Sequence, residues 1–239
     1  GQGNSGRKGG GEMMAIQRVG IIGAGKVGIV LAGLALDAGY TVRISGSGSV
    51  KKIALTIKTL VPGAIASENA DVVANSDIIL LAIPLSRYKN IDADLLKGKL
   101  VIDAMNYWWE TDGIREEVLD PSTTSSEQVQ TYFKDAKIVK AFNHMGYHNL
   151  QEEARPKGDP KRKALFVTGN DPDAVATVAA FVDHMGFDTV VHNNLADGIM
   201  TEPGSPLFGA SLRYAELKDI IDHFDQTEFG KEVAAQTHK

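Results

Sequence analysis

The feature that most constrains this chain is a glycine motif between a short apolar segment and a segment with helical periodicity. Val19, Ile21 and Ile22 form an apolar run without polar alternation, which is typical of a strand buried on both faces of a parallel sheet. Residues 23–28 then read Gly-Ala-Gly-Lys-Val-Gly, and apolar residues recur at helical spacing as far as Gly39. This order predicts a strand, a tight turn and a helix.

The spacing of the three glycines indicates what such a turn binds. Gly23 permits the tight turn, Gly25 lets an anion approach the backbone because it has no Cβ, and Gly28 lets the helix and strand pack closely. The free N–H groups and the positive dipole end of the helix face that anion. We therefore expect a dinucleotide site, against the alternative of a flexible turn. Its residues are Gly23, Ala24, Gly25, Lys26, Val27 and Gly28.

The end of the second predicted strand, over residues 40–45, indicates which dinucleotide binds. Sites for NAD usually carry Asp or Glu at this position, where the carboxylate holds the ribose hydroxyls. Here residues 45–49 read Ser-Gly-Ser-Gly-Ser and two lysines follow, with no carboxylate. Hydroxyls, backbone N–H groups and lysines accept a 2′-phosphate that a carboxylate would repel. The sequence therefore predicts NADP rather than NAD, and the alternative is a solvated loop. The residues expected to hold the phosphate are Ser45, Gly46, Ser47 and Lys51.

Strands and helices alternate along the rest of the chain, which predicts an α/β fold. The expected architecture is a doubly wound parallel sheet (Rossmann) with a small C-terminal α/β domain. In such sheets the ligand lies outside the carboxyl ends of the strands, so Ile83 and Pro84 are expected to line the dinucleotide. Further strands are predicted at 63–66, 77–83, 99–104, 136–142, 164–168 and 187–192, and a final helix at about 209–224.

A charged segment at 151–163, containing two prolines and a glycine, reads as an exposed loop and a domain boundary. We expect three parts in the chain. These are a disordered leader at 1–14, an NADP-binding Rossmann domain at 15–148 and a small substrate-side domain at 149–239.

Composition excludes several classes of function. The 239 residues include no cysteine, so disulfides, thiol catalysis and Cys-ligated metals are excluded. The net charge of −5 argues against a general nucleic-acid binder, and no apolar stretch approaches membrane-spanning length. His144 and His148 are four residues apart, but Gly146 interrupts the helix that a metal site would need. We expect no metal, no nucleic acid and no membrane, a cytoplasmic location and, as a base-rate expectation, a homodimer.

Several short segments together resemble the NADPH-dependent coenzyme F-420 reductases. They are the glycine motif, Leu-Ala-Ile-Pro at 81–84, Asp-Ala-Met-Asn at 103–106 and Lys-Ala-Phe-Asn at 140–143. The resemblance implies that NADP lies across the glycine loop and that the deazaflavin coenzyme F420 stacks over the nicotinamide. It also implies that the nicotinamide side is lined by Ile83, Pro84, Asn106, Ala141 and Asn143. The phosphate loop departs from the Ser-Arg-Arg of the family, and the pair Trp108-Trp109 and the stretch Tyr147-His148 are not matched to features of the family.

The predicted activity is that of an NADP-dependent oxidoreductase, with hydride transfer between NADP(H) and a planar small-molecule redox partner. Because the cofactors carry this chemistry, we expect no catalytic triad. His144 is the one candidate proton donor, with a packing role as the alternative. The turn 202–206 is expected to close the cleft, while Asp103 and Asp112 are given no role. Alternative functions are reduction of a flavin, ferric chelate or small imine, or NADP-linked redox sensing without turnover.

Overall fold

Strands and helices alternate along the chain in the computed structural model, which describes residues 15–237. The leader expected at 1–14 lies outside the described residues. The strands are β1 (Arg18–Ile22), β2 (Thr41–Ser45), β3 (Ile65–Ala66), β4 (Ile78–Leu81), β5 (Leu100–Asp103), β6 (Lys137–Lys140), β7 (Ala164–Gly169) and β8 (Asp188–His192). The helices are α1 (Lys26–Asp37), α2 (Val50–Leu60), α3 (Asn69–Ala74), α4 (Trp109–Asp112), α5 (Arg115–Val118), α6 (Ser125–Tyr132), α7 (Tyr147–Glu153), α8 (Pro172–Met185), α9 (Tyr214–Asp222) and α10 (Glu228–Thr237). Short 3-10 helices include Leu85–Asn90 and Leu195–Thr201.

All eight strands belong to one sheet, in the order β3-β2-β1-β4-β5-β6-β7-β8. The strands from β3 to β6 pair in parallel, β7 runs antiparallel to β6, and β8 is parallel to β7. The chain order reverses between β1 and β4, and this switch point is where doubly wound sheets bind their ligands. The predicted Rossmann architecture is confirmed. Because β7 pairs directly with β6, one sheet crosses the expected boundary at 148, and the division into two domains stays a prediction.

The sheet is covered on both faces, which explains why its central strands lack polar alternation. Ile78 and Leu80 of β4 belong to a buried cluster that includes residues of α1 and α8. The alternate residues Ile79 and Leu81 belong to a second cluster, which includes Phe133 just after α6. Since successive strand residues point to opposite faces, every position of β4 is buried.

The elements differ from the sequence expectations mainly at their ends and beyond the last strand. Helix α3 begins after Glu68, its N-cap residue, and the Ser67 hydroxyl before it donates to the carbonyl of Ile65 (3.1 Å). The final helix expected at 209–224 is shorter, since α9 covers only Tyr214–Asp222, and α10 follows it unpredicted.

The segment 151–163 is only partly the exposed loop expected from its charge. Helix α7 extends into it as far as Glu153. The side chain of Arg162 is 1% exposed and pairs with Asp183 (2.6 Å) and Asp188 (3.3 Å). It also donates to the carbonyl of Phe187. This arginine therefore ties the segment to α8 and β8, a role that charge content alone does not reveal.

Two features are absent from residues 15–237. No helix there combines the length and the apolar character needed to cross a bilayer. In the same residues, no three or more His, Asp or Glu side chains lie together in a way that could hold a metal ion.

Candidate active site

The glycine loop joins β1 to α1 at the switch point, and its three glycines meet different surroundings. Gly23 has φ +126°, and a Cβ there would overlap the carbonyl oxygen of Ala82. A Cβ on Gly28 would overlap the carbonyl oxygen of Gly23. Around Gly25, the N-cap of α1, nothing lies within 4 Å of a Cβ position. Gly23 and Gly28 thus serve close packing, while the space in front of Gly25 is open, as approach of a pyrophosphate requires.

A cavity of about 610 Å³ opens beside this loop. Its wall combines the start of α1 with the residues that follow β4, β5 and β6, the start of α7, and Phe208 and Gly209. The carboxyl ends of three neighbouring strands therefore converge on one space next to the glycine loop, and its size is usual for a small-molecule site. Of the predicted site residues, the cavity is lined by Gly25, Lys26, Val27, Ile83, Pro84, Asn106, Asn143 and His144. Those outside its wall are Gly23, Ala24, Gly28, Ser45, Gly46, Ser47, Lys51 and Ala141.

Asn106 and Asn143 form the polar part of the wall. The Asn143 amide donates to the carbonyls of Asp103 (3.0 Å) and Met105 (2.9 Å), which fixes the loop after β5 against the end of β6. The Asn106 amide donates to the carbonyl of Asn143 (2.9 Å). Within the described residues, the buried Oδ1 of Asn106 has no hydrogen-bond partner. A buried acceptor without a donor is costly, which makes this oxygen a candidate acceptor for a ligand N–H group.

The loop expected to hold the 2′-phosphate divides into a buried and an exposed part. Ser45 is 1% exposed and its hydroxyl donates to Oδ1 of Asn69 (2.6 Å). The Ser45 hydroxyl therefore has its hydrogen-bond acceptor within the protein, which does not fit the expected contact with a phosphate. Ser47 and Lys51 are exposed beside the first turn of α2, which Ser49 caps by accepting the N–H of Lys52. Of the side chains expected to hold the phosphate, Ser47 and Lys51 are therefore the ones that remain exposed.

His144 lines the cavity, but both of its ring nitrogens are bonded to the backbone. Nε2 accepts the N–H of Phe166 (3.0 Å), so Nδ1 carries the proton and donates to the carbonyl of Ala210 (3.2 Å). Burial lowers the pKa of His144 to about 4, with the contact to Ala210 opposing that shift. The ring is thus neutral at pH 7. Its geometry matches the packing alternative and not the expected proton donor, because neither nitrogen is left for a substrate.

Asp112 organises the wall around Trp108, a function that the sequence did not indicate. One carboxylate oxygen accepts the N–H (3.0 Å) and the hydroxyl (2.8 Å) of Ser86, and the other accepts the N–H of Trp108 (2.8 Å). The Trp108 and Phe208 rings meet at a centroid distance of 5.3 Å and an angle of 62°. The adjacent tryptophans were the only sequence signal for this wall, and nothing pointed to Phe208.

The turn 202–206 does not line the cavity, contrary to the expectation that it closes the cleft. Glu202 is 3% exposed, accepts the N–H of Ser125 (3.3 Å) and lies 3.8 Å from the guanidinium of Arg115. Asp103, to which no role was given, is fully buried and accepts the hydroxyl of Ser126 (2.7 Å). Both carboxylates therefore hold α6 in place.

Proteins of known family are similar to this chain in sequence. Residues 18–107 match the family model described as NADP oxidoreductase, coenzyme F420-dependent. The chain is 27% identical over 155 residues to the F420-dependent NADP reductase of Methanocaldococcus jannaschii, covering 62% of this chain and 67% of that protein. The chain is an NADP-dependent oxidoreductase. The predicted resemblance to the F420 reductases is confirmed.

Solved structures extend the similarity to most of the chain. The hypothetical protein SMa0349 of Sinorhizobium meliloti is 28% identical with a TM-score of 0.69, covering 83% of this chain and 96% of that chain. A protein of Arthrobacter sp. FB24, provisionally named an F420-dependent NADP reductase, is 25% identical with a TM-score of 0.63, covering 75% of this chain and 86% of that one. A reductive aminase of Aspergillus terreus shares the fold at 14% identity and a TM-score of 0.51, over 75% of this chain and 56% of that one.

Proposed function

We propose that this chain transfers a hydride between NADP(H) and coenzyme F420 within the cavity at the sheet's switch point. The observation that carries the proposal is the continuity of that cavity, which runs from Gly25 in the glycine loop to the ends of β4, β5 and β6. The similarity to the F420-dependent NADP reductase of M. jannaschii supports the choice of acceptor.

The residues present fit a bound NADP at three separate points. The open space at Gly25 and the N-terminus of α1 suit the pyrophosphate. The unpartnered Oδ1 of Asn106 suits the carboxamide N–H of a nicotinamide. The exposed Ser47 and Lys51, at the start of α2, suit a 2′-phosphate, and no carboxylate lies among residues 45–52 to repel it.

The groups that line the cavity favour an acceptor with an extended conjugated ring. Its titratable side chains are Lys26, Asp112, His144 and Tyr147. Asp112 and His144 are held by bonds within the fold, and the Lys26 ammonium lies 5.5 Å from the centre of the Tyr147 ring. Reduction of a carbonyl needs a proton delivered at the oxygen, and the hydrogen bonds of Asp112 and His144 withdraw these two groups from that role, which leaves Lys26 and Tyr147 as the acids of the cavity. A deazaflavin spreads the added charge over its ring and takes its proton from water.

The chain's contribution to the reaction is binding, orientation and exclusion of water. Bound NADPH supplies the hydride from C4 of its nicotinamide, and the acceptor gains that hydride and a proton as NADP⁺ forms. Ile83 and Pro84 provide an apolar surface in the same cavity as Asn106, so a ring held by the asparagine is kept from solvent. No residue of the chain needs to change its protonation state.

The test is a direct assay with NADPH and coenzyme F420, in which reduction bleaches the deazaflavin absorbance. We expect bleaching that depends on enzyme concentration, and faster turnover with NADPH than with NADH. Turnover of FMN, ferric salts or a cyclic imine, with none of F420, would support the alternative activity, which is reduction of a flavin, a ferric chelate or a small imine. Tight binding of NADPH without turnover of any of these acceptors would contradict an enzymatic role and favour a redox sensor.

A further inference from the structure

Trp108 lines the cavity with a side chain that is only half covered. Its side chain lines the wall, yet 49% of its surface is exposed. Phe208 meets it edge to face, so the two rings form one aromatic corner. A large apolar side chain that lines a ligand cavity and is only half covered gains contact area when a flat ligand packs on it.

Both rings of this corner are carried by backbone that is fixed in place. The N–H of Trp108 is held by Asp112, which is also bonded to Ser86 in the segment after β4. The segment of Phe208 is fastened on its C-terminal side, where Gly209 donates its N–H to the carbonyl of His144 (2.6 Å). The backbone of the corner is therefore held in place before a ligand arrives, which lowers the entropy cost of stacking on it.

Trp109 provides an internal comparison, since it is the neighbouring residue and the same amino acid. Its side chain is 69% exposed, and it does not belong to the cavity wall. Trp108 and Trp109 are the two tryptophans of the chain, so aromatic contact at the cavity can be separated from indole content in general.

We propose that the Trp108 indole packs against the acceptor and selects for acceptors with a flat conjugated ring. This inference rests on the proposed function, because it assigns the acceptor's contact in the same cavity. Trp108 is then a specificity-determining residue for the acceptor and not for NADPH.

The experiment compares Trp108→Ala, Trp108→Phe and Trp109→Ala in steady-state assays with NADPH and coenzyme F420. Stacking on one aromatic side chain changes affinity by about tenfold or more, so we expect Trp108→Ala to raise the KM for F420 by that factor. The KM for NADPH should stay within about twofold, which also reports an intact fold. Trp108→Phe should recover most of the loss, and Trp109→Ala should match the wild type. Equal effects of the two alanine variants, or parallel rises in both KM values, would overturn the inference.

The outcome for Trp108 can be read separately from the outcome for F420. If the wild type binds NADPH but does not reduce F420, the proposed acceptor is wrong. FMN then serves as the planar probe, in equilibrium dialysis against protein saturated with NADP⁺. A weaker FMN affinity in Trp108→Ala, but not in Trp109→Ala, supports the contact, whereas equal affinities or no FMN binding in the wild type contradict it.

Discussion

Substitution of Gly25 by valine should separate nucleotide binding from folding. Gly25 has φ −82° and ψ −166°, which any L-residue can adopt, and nothing lies within 4 Å of its Cβ position. The expected loss in the free energy of unfolding is about 1 kcal/mol, the cost of replacing a favoured N-cap residue with an aliphatic one. The protein should therefore remain folded at 25 °C.

The same side chain should remove most of the affinity for NADPH. The space in front of Gly25 is where a pyrophosphate approaches the first N–H groups of α1, and two methyl groups would fill it. Loss of two hydrogen bonds to a charged group, at about 1.5–3 kcal/mol each, corresponds to a Kd raised by about 100-fold or more.

Isothermal titration with NADPH and urea unfolding measure the two effects, and two other glycines of the same segment serve as controls. Gly33 lies within α1 and has nothing within 4 Å of its Cβ position, so Gly33→Ala should raise stability by about 0.5–1 kcal/mol and leave the Kd unchanged. Gly28→Ala should instead destabilise the fold by about 3 kcal/mol or more, because its Cβ would overlap the carbonyl oxygen of Gly23. Normal NADPH affinity in Gly25→Val would refute the assignment of the pyrophosphate.

Three further predictions concern the phosphate loop, the buried histidine and the buried arginine. Lys51→Gln should lower kcat/KM for NADPH by about fivefold, because it removes one exposed contact to the 2′-phosphate. The kcat/KM for NADH, which has no 2′-phosphate, should stay unchanged. The pKa of the His144 imidazole is about 4 in the folded protein and 6.5 in the unfolded chain. As the pH falls, the imidazole is therefore protonated at a higher pH in the unfolded chain than in the folded protein. Between pH 7.5 and pH 5, stability should therefore fall by about 2 kcal/mol more in the wild type than in His144→Gln, measured by urea unfolding. Arg162→Leu should cost about 2 kcal/mol, less than a fully buried pair, because both of its carboxylate partners keep contact with water.

Two of these predictions have a control variant within the chain, and the third has a direct measurement. Lys58→Gln removes the same charge at the far end of α2 and should leave kcat/KM unchanged for both NADPH and NADH. A histidine NMR titration that places the His144 ring near 6.5 in the folded protein would contradict its buried, doubly bonded state. Lys157 lies 3.8 Å from Asp183 with its side chain 81% exposed, so Lys157→Ala should change stability by less than about 0.5 kcal/mol. A similar small cost for Arg162→Leu would show that its pairing contributes little.

The sequence predicted most of the fold because the signals that define a parallel sheet are local. The apolar run of β1 and the glycine spacing after it each predict the structure of their own segment. The same reasoning predicted which strand ends meet, since consecutive strands of this fold have a fixed order. Ile83, Asn106 and Asn143 accordingly line one cavity, although they are separated by up to 60 residues of chain.

The side-chain roles that were missed depend on contacts between distant segments. From its position in the sequence, Ser45 is a candidate phosphate ligand. In the structure its hydroxyl donates to Asn69, the first residue of α3. His144 is likewise a candidate proton donor from the sequence. In the structure both of its ring nitrogens are bonded to the backbone, one to Phe166 of β7 and the other to Ala210. Periodicity reports which face of an element is buried, but not which polar group lies opposite a given atom. The homodimer and the cytoplasmic location stay predictions for the same reason, because neither is encoded in local pattern.

The backbone at Phe142 shows how the sheet and the active site depend on each other. Phe142 has φ +70°, the left-handed region that costs a residue with a side chain about 1–3 kcal/mol. This conformation directly precedes Asn143, whose amide bonds the carbonyls of Asp103 and Met105 and whose own carbonyl accepts from Asn106. The strained turn therefore positions the Asn143 carbonyl that holds the Asn106 amide, whose own Oδ1 has no partner among the described residues. A glycine at 142 would relieve the strain but lose the buried ring packed on Phe181, so the side chain that causes the strain also holds it in place.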